Sequence, residues 1–303
     1  MQHLLKLLDL TGDEIIGLLN MADQLKYETK NGVTHHHLKG KTLGLIFTKS
    51  STRTRVSFEV GMVQLGGYPL FLSAGDLQLG RGEPIEDTAK VLSRYLDGIM
   101  IRTFKQSDVE DFAKYGSIPV INGLTDAFHP CQVLADLMTI REYKKVLSGL
   151  KMCFVGDGHN MANSLTVGGL KVGMEVVMAM PKGYDKLHPD VMAFAGENPA
   201  FSITDDIVAA VKDADVVVTD VWTSMDQGDQ AESRKKAFAG FQVNDSLMTH
   251  AKPDAIVLHC LPAHRGEEIT AEIMDAHPEI IDEAENRLHA QKAVLVTLMK
   301  DKE

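Results

Sequence analysis

The residues best suited to chemistry lie in the run FTKSSTRTR at 47–55, between a predicted strand and a predicted helix. The first turn of a helix has unpaired backbone N–H groups and the positive end of the helix dipole, so it attracts anions. The hydroxyl groups of Ser51, Thr52 and Thr54 add donors, and Arg53 can make a two-pronged contact with phosphate oxygens. A Ser/Thr cap followed by solvated arginines is the alternative. The strand-to-helix context favours a phosphate site.

A second polar cluster, FHPCQ at 128–132, follows a predicted strand and begins a predicted helix. His129 can donate a hydrogen bond to a carbonyl or phosphate oxygen, and Gln132 can both donate and accept. A histidine at a helix start is often only a cap or a structural residue. Arg102 ends another strand at the same rim of the sheet, which favours the binding interpretation.

A third cluster, HCLPAHRGEE at 259–268, follows the apolar strand that ends near Leu258. Its Cys and His suggest either a zinc site or a nucleophilic thiol with its base. Zinc requires three or four ligands, and the sequence has no second Cys/His pair placed nearby. A catalytic thiol stays open. The triple histidine at 35–37 resembles a metal-binding tract, but its context predicts a solvated loop.

The run GDGHN at 156–160 resembles the start of a dinucleotide-binding fingerprint. The third glycine would fall at Met161, and the next strand ends without an acidic residue for a ribose hydroxyl. The sequence therefore argues against NAD. Asp220 follows another strand and offers a carboxylate that could hold a substrate ammonium group.

Short apolar runs alternate with amphipathic stretches along nearly the whole chain, which is typical of strands joined by crossover helices. The predicted strands are Lys41–Phe47, Tyr68–Leu72, Gly98–Arg102 and Ile118–Asn122 in the first half, and Lys151–Val155, Glu175–Met180, Val216–Thr219 and Ile256–His259 in the second. A predicted helix at Gln132–Leu147 connects the halves, and a last helix at Asn286–Lys300 is expected to return to the first. We therefore predict an α/β protein with two doubly wound domains, each with a mostly parallel sheet flanked by helices.

Composition limits the function classes. The 303 residues are 44% hydrophobic with a formal net charge of −11, so the chain is globular and ill suited to nonspecific binding of nucleic acid or anionic lipid. Every apolar run is shorter than the roughly 18 residues of a membrane helix. Three scattered cysteines and a start without a targeting pattern predict a reducing cytoplasm. An anionic ligand must be met by a local basic site.

Together, STRTR at 51–55, HPCQ at 129–132 and HCLP at 259–262 resemble the motifs of the aspartate/ornithine carbamoyltransferase family, and most closely those of its ornithine branch. The resemblance covers nearly the whole chain, with the motifs in the family's order. It implies transfer of the carbamoyl group of carbamoyl phosphate to the δ-amine of L-ornithine, giving L-citrulline and phosphate, with no cofactor and no metal. It also implies a carbamoyl phosphate domain at 1–147, with 286–303 returning to it, and an ornithine domain at 148–285.

The resemblance assigns site residues position by position. The residues matched to carbamoyl phosphate binding are Ser51, Thr52, Arg53, Thr54, Gln78, Arg102, His129, Pro130, Cys131, Gln132, Cys260, Leu261 and Arg287. The residues matched to ornithine binding are Asn160, Asp220, Ser224 and Met225. Arg102, His129, Cys260 and Asp220 are expected to take part in catalysis, the last two by orienting and tuning the substrate amine.

The resemblance further implies a homotrimer, or a multiple of trimers, in which Gln78 completes the phosphate site of a neighbouring subunit. One departure concerns the ornithine loop, where Asp226 stands in place of the family's usual glycine. Because glycine allows a loop more freedom than aspartate, loop closure and amine preference are open to change here.

Overall fold

The computed structural model describes residues 1–73, 75, 77, 78, 82–223 and 231–301. Its strands are β1 (Thr42–Phe47), β2 (Tyr68–Ser73), β3 (Gly98–Arg102), β4 (Val120–Leu124), β5 (Lys151–Val155), β6 (Glu175–Ala179), β7 (Phe201–Thr204), β8 (Val216–Thr219) and β9 (Ile256–His259). Its helices are α1 (Gly12–Lys30), α2 (Thr52–Gln64), α3 (Ile85–Leu92), α4 (Gln106–Tyr115), α5 (Pro130–Lys144), α6 (Asn160–Lys171), α7 (Pro189–Ala195), α8 (Ile207–Val211), α9 (Ala231–Phe238), α10 (Asp245–Met248), α11 (Ala271–Ala276) and α12 (Glu279–Met299). Within these residues, no helix is both long enough and apolar enough to span a membrane.

The chain divides into two compact units, each built around one sheet. The first unit comprises Met1–Ala135 and Asn286–Glu303, and the second comprises Asp136–Glu285. Helices α5 and α12 each carry the chain from one unit to the other. This division falls inside α5, whereas the sequence predicts a domain boundary at 147. The boundary at 147 stays a prediction.

The sheet of the first unit has the strand order β2-β1-β3-β4, and all its strand pairs are parallel. Strands β1, β3 and β4 are mostly buried, and residues such as Ile46, Ile99 and Ile101 pack against Val109 and Phe112 of α4. The chain passes from β1 outward to β2, then back to the other side of β1 for β3. Ligands of doubly wound sheets bind at the carboxyl ends of such strands, so the ends of β1 and β3 are where a site is expected.

The second sheet has the order β7-β6-β5-β8-β9 and is also wholly parallel. The strand order reverses between β5 and β8, which are followed by the GDGHN run and by Asp220. Val155, Val217 and Val257 contribute to its core together with Ile273 and Ile280. The prediction of two doubly wound domains with parallel sheets is confirmed.

Several boundaries differ from the sequence prediction. Strand β4 lies two residues later than predicted, because the polar Asn122 is buried within it and donates to the carbonyl oxygen of Leu5 at 2.8 Å. Strand β7 was not predicted, being a four-residue strand at the sheet edge.

The last helix begins at Glu279, seven residues before the predicted start at Asn286. Its first turns carry Glu279 and Glu283, whose carboxylates accept the backbone N–H groups of Val257 (2.9 Å) and His259 (2.8 Å) of β9. Since β9 is an edge strand, these two glutamates satisfy donors that no further strand meets. Two buried acids hide the apolar rhythm by which a helix is recognised in a sequence.

The close approach of backbone atoms to Gly158 leads to a prediction about stability. A Cβ at this position would lie 2.8 Å from the carbonyl oxygen of Tyr184 and 2.9 Å from that of Lys186, closer than backbone atoms allow. We expect Gly158→Ala to lower the free energy of unfolding by about 1–3 kcal/mol. The matched control is Gly240→Ala, where a Cβ meets nothing within 4 Å. Equal denaturant midpoints for the two variants would contradict this account.

Candidate active site

In the first unit, the turn between β1 and α2 carries the predicted phosphate residues. Ser51 has extended backbone (φ −163°), and its hydroxyl oxygen accepts the N–H of Thr54 at 3.2 Å, so Ser51 caps α2. The backbone N–H of Thr48 donates to the carbonyl oxygen of Arg102 at 2.9 Å. The cap fixes the start of α2, and the second bond holds the end of β1 beside the end of β3.

Thr54 is the point at which side chains from four elements meet. Its hydroxyl oxygen is buried and accepts from Arg287 Nη2 at 3.2 Å and from Arg102 Nη1 at 3.5 Å. Arg287 Nη1 also donates to Gln132 Oε1 at 2.7 Å. The structure therefore brings together Arg102 of β3, Gln132 of α5, Arg287 of α12 and the first turn of α2.

His129 lies in the same positively charged surroundings. It is buried, and its pKa lies well below the ordinary value because burial disfavours the imidazolium and because Arg287, Arg102 and Arg53 repel it. The ring is therefore neutral at physiological pH and can donate a hydrogen bond from one nitrogen without adding charge. This local concentration of cations contrasts with the chain's net charge of −11.

Three other residues predicted for the carbamoyl phosphate site, Cys131, Pro130 and Gln78, lie in different surroundings. The Cys131 thiol is buried and donates to the carbonyl oxygen of Asn122 at 3.4 Å, and burial raises its pKa to about 12. Its side chain thus serves the packing of α5 on β4, and the backbone N–H is the group it can offer a ligand. Pro130 is the first residue of α5. Gln78 is exposed in the turn after β2, where its carbonyl oxygen accepts from Glu83 at 3.1 Å.

In the second unit, Asp220 and Cys260 are in direct contact. The thiol of Cys260 donates to Asp220 Oδ1 at 3.0 Å, and the same oxygen accepts the N–H of Val221 at 2.7 Å. Burial and the neighbouring carboxylate raise the pKa of Cys260 well above its usual value. A nucleophilic cysteine needs the opposite shift, so the thiol acts here as a neutral donor.

The side chain of His259 holds the turn that follows Cys260. Leu261 has a left-handed backbone (φ 56°), and its N–H donates to His259 Nδ1 at 2.9 Å. Because Nδ1 accepts, the proton is on Nε2, which faces Glu268 Oε1 at 3.0 Å. Both of these side chains are fully buried. They fix the backbone that presents Cys260 and Leu261.

This geometry bears on the zinc alternative. One ligand atom each of Asp220, His259 and Cys260 lies within 4.8 Å of the others, the spacing of a metal site. Both ring nitrogens of His259 are held by protein groups, however, and Cys260 is held as a thiol. The described residues here therefore favour a hydrogen-bonded turn over a zinc site.

Two residues beside Asp220 were not predicted from the sequence. Arg234 Nη2 contacts Asp157 Oδ2, and Arg234 Nε donates to the carbonyl oxygen of Trp222 at 2.5 Å. Arg234, Asp157 and Asp220 line one small pocket together with His159. The sequence offers one signal, the position of Asp157 between two glycines after β5, but the rejected nucleotide fingerprint left Asp157 without an assigned role.

The remaining ornithine candidates divide into two groups. Asn160 is buried at the start of α6, directly after the GDGH turn. Ser224 and Met225, like Asp226, lie outside the described residues.

Two family models match the chain in succession. The carbamoyl-P binding domain of aspartate/ornithine carbamoyltransferase matches residues 2–142, and the Asp/Orn binding domain matches residues 148–298. The chain is 57% identical over 296 residues to ornithine carbamoyltransferase of Carboxydothermus hydrogenoformans, covering 96% of this chain and 95% of the relative. It is 55% identical to "ornithine carbamoyltransferase, anabolic" of Pyrococcus furiosus, covering 98% and 96%.

Solved structures give the same result. The structure of ornithine carbamoyltransferase from Pyrococcus furiosus matches with a TM-score of 0.95 at 53% identity, covering 100% of this chain and 98% of that one. The anabolic ornithine carbamoyltransferase from Campylobacter jejuni matches with a TM-score of 0.93 at 44% identity, covering 98% and 99%.

The contact between Asp220 and Cys260 predicts thiol reactivity. Asp220→Asn removes the negative charge that raises the pKa of Cys260, so its thiolate fraction should increase. We expect iodoacetamide to modify Cys260 about threefold faster or more in Asp220→Asn than in the wild type at pH 8, as followed by mass spectrometry. Cys260→Ala gives the background from the buried Cys131 and Cys153.

The matched charge control is Asp213→Asn. Asp213 is exposed before β8, at the other end of that strand from Asp220, and asparagine tolerates its left-handed backbone (φ 57°). An Asp220→Asn rate no faster than that of Asp213→Asn would show that Asp220 does not control the thiol.

Proposed function

The chain belongs to the aspartate/ornithine carbamoyltransferase family, and from this premise we propose that it is an ornithine carbamoyltransferase. It transfers the carbamoyl group of carbamoyl phosphate to the δ-amine of L-ornithine, releasing L-citrulline and phosphate. The observation that carries the proposal is the meeting of Arg102, Gln132 and Arg287 around buried Thr54 at the start of α2. An anion that also presents a carbonyl oxygen suits this set of donors.

The first unit would bind carbamoyl phosphate. Ser51, Thr52, Arg53, Thr54 and Arg102 surround the phosphate in this proposal, because a capped helix start and guanidinium groups supply charge-assisted hydrogen bonds.

The carbamoyl group would lie beside His129, Gln132 and Arg287. Neutral His129 can donate to the carbonyl oxygen while negative charge develops on it, as Arg102 and Thr54 also can. A well-placed donor of this kind contributes about 3 kcal/mol of transition-state stabilisation.

The second unit would bind ornithine through Asn160, Asp220 and the Ser224 and Met225 loop. The δ-amine must lose its proton to attack, since an alkylamine has a pKa about three units above neutral. In the transfer, the nitrogen–carbon bond forms, the carbon–oxygen bond to phosphate breaks, and the extra proton on the nitrogen passes to the departing phosphate, which is a base. The neutral thiol of Cys260 and the Asp220 carboxylate orient the amine, with Leu261 beside them, and the transfer needs no covalent enzyme intermediate.

We also propose that the enzyme is a homotrimer, or a multiple of trimers, with sites shared between subunits. Val56, Val60 and Val63 lie exposed along α2, and Tyr68 and Leu70 lie exposed on the edge strand β2. These apolar side chains precede exposed Gln78 in the chain, and they are suited to contact with a second copy of the chain. A reducing cytoplasm is the proposed location, supported by three free cysteines.

The direct test of function is citrulline formation from carbamoyl phosphate and L-ornithine, with putrescine, lysine and aspartate as rival amines. We expect turnover with ornithine and at least about a hundredfold lower kcat/KM with each rival, the discrimination of a site that pairs a buried polar group with its substrate. Equal turnover with aspartate or putrescine would contradict the ornithine assignment.

Arg53 provides a test of the phosphate site. Arg53→Ala should weaken carbamoyl phosphate binding by about 2 kcal/mol or more, roughly 30-fold in Kd, as measured by calorimetric titration. The control is Arg55→Ala, since Arg55 pairs with Glu59 at 3.0 Å and stacks over Phe71. Near-normal affinity in Arg53→Ala would remove Arg53 from the site.

The shared site predicts recovery of activity in hybrids. When inactive Arg53→Ala and inactive Gln78→Ala proteins exchange subunits, some sites regain both residues, so citrulline formation should reappear. A mixture of Arg53→Ala with the Arg53→Ala/Gln78→Ala double variant cannot form an intact site and is the control. Verified mixed oligomers without activity would show that Gln78 serves its own subunit or none.

A further inference from the structure

Within the first unit, polar contacts join α2 to α12 along several turns. Arg287 contacts Thr54, Gln291 contacts Ser57, and Lys292 donates to Gln64 Oε1 at 2.9 Å. The three α12 residues are almost fully buried. The helix that begins with the proposed phosphate residues is therefore held by side chains of the last helix.

The Gln291 side chain satisfies all these neighbours in one amide orientation. Its nitrogen then donates to Ser57 Oγ at 2.6 Å, and its oxygen accepts from Arg287 Nη2 at 2.9 Å and Nε at 3.0 Å. Ser57 Oγ in turn donates to the carbonyl oxygen of Arg53 at 2.6 Å. A continuous series of hydrogen bonds thus runs from the guanidinium of Arg287 to the backbone of the first turn of α2.

These contacts fix the plane of the guanidinium. Gln291 holds the edge formed by Nε and Nη2, which leaves Nη2 and Nη1 to face Thr54 and Gln132. A guanidinium that is hydrogen-bonded along one edge can no longer rotate about the bond between Cδ and Nε. Its other N–H groups therefore keep a single direction.

Gln291, which holds one edge of the Arg287 guanidinium, is a neutral partner. A carboxylate in the same place would form an ion pair and cancel much of the charge that an anion could use, whereas an amide oxygen leaves the charge intact. The surroundings are accordingly positive, since Arg53, Arg102 and Arg287 all act on buried His129. Gln291 thus supplies orientation without neutralisation.

We propose that Gln291 is a positioning residue of the anion site, which directs Arg287 toward Thr54 and Gln132 and preserves its charge for the bound phosphate group. The proposal rests on the proposed function for the identity of the substrate. The orientation of Arg287 by Gln291 matters for any ligand with a phosphate group. Binding of inorganic phosphate therefore tests this role independently of citrulline formation.

The decisive variant is Gln291→Glu, which keeps the length and the acceptor of the side chain but adds a negative charge. We expect it to unfold at the same or a higher denaturant concentration than the wild type. We also expect the Kd of inorganic phosphate and of carbamoyl phosphate to rise about tenfold, and the KM for carbamoyl phosphate to rise more than kcat falls.

The matched control is Gln64→Met, which removes an amide partner from the same two helices at Lys292. Gln64 lies ten residues beyond Thr54 on α2, about 15 Å along the helix axis. We expect its phosphate Kd to stay within about twofold of the wild type, because Arg287 and its contacts are untouched. Equal weakening in Gln64→Met and Gln291→Glu would show that helix packing alone is at work and would overturn the proposal.

Unchanged phosphate and carbamoyl phosphate affinity in Gln291→Glu would also overturn it. If that variant does not fold, Ser57→Ala removes the acceptor of the Gln291 amide nitrogen, and with it the bond from Ser57 Oγ to the carbonyl oxygen of Arg53, and should raise the phosphate Kd about threefold. No change in Ser57→Ala would then count against the positioning role. If the wild type makes no citrulline, the proposed function is refuted. The role of Gln291 would still be supported if the variants change the phosphate Kd as expected.

Discussion

The proposed anion site of the first unit depends on the buried guanidinium of Arg287. It links residues far apart in the chain, since its partners Gln132 and Thr54 lie 155 and 233 positions away. Its contacts with Thr54, Gln132 and Gln291 are made to uncharged groups, which orient the guanidinium without adding a negative charge. An anion bound beside Arg287 would add charge-assisted hydrogen bonds to the folded state alone, so ligand binding would stabilise the folded state.

The second unit uses charge in the opposite sense. Burial and the Asp220 carboxylate raise the pKa of the Cys260 thiol and keep it protonated, while buried Glu279 and Glu283 accept backbone N–H groups of β9 just before Cys260. His259 and Glu268 then hold the left-handed turn at Leu261. Ornithine, the proposed substrate, has amino groups that are cationic in water, and the Asp220 carboxylate suits an ammonium group.

Local signals predicted the strands of the described residues other than the four-residue β7, together with polar residues that follow several of them. Parallel strands are buried on both faces and appear as apolar runs, and polar residues directly after them stand at the sheet edge where ligands bind. Contacts made across the chain left no such signal. The pairing of Arg234 with Asp157 and the place of Gln291 beside Arg287 depend on tertiary packing, and the start of α12 was hidden by Glu279 and Glu283, which serve β9.

The overall charge explains why the positioning of single donors matters here. With a net charge of −11, the chain repels a polyanion at distances beyond the local site, although salt screens this repulsion over about 8 Å at physiological ionic strength. Binding must therefore come from short-range contacts that are buried and correctly aimed. A guanidinium that could rotate, or that was neutralised by a carboxylate, would lose those contacts. Neutral partners such as Thr54, Gln132 and Gln291 avoid both losses, because hydroxyl and amide groups orient a guanidinium without neutralising it.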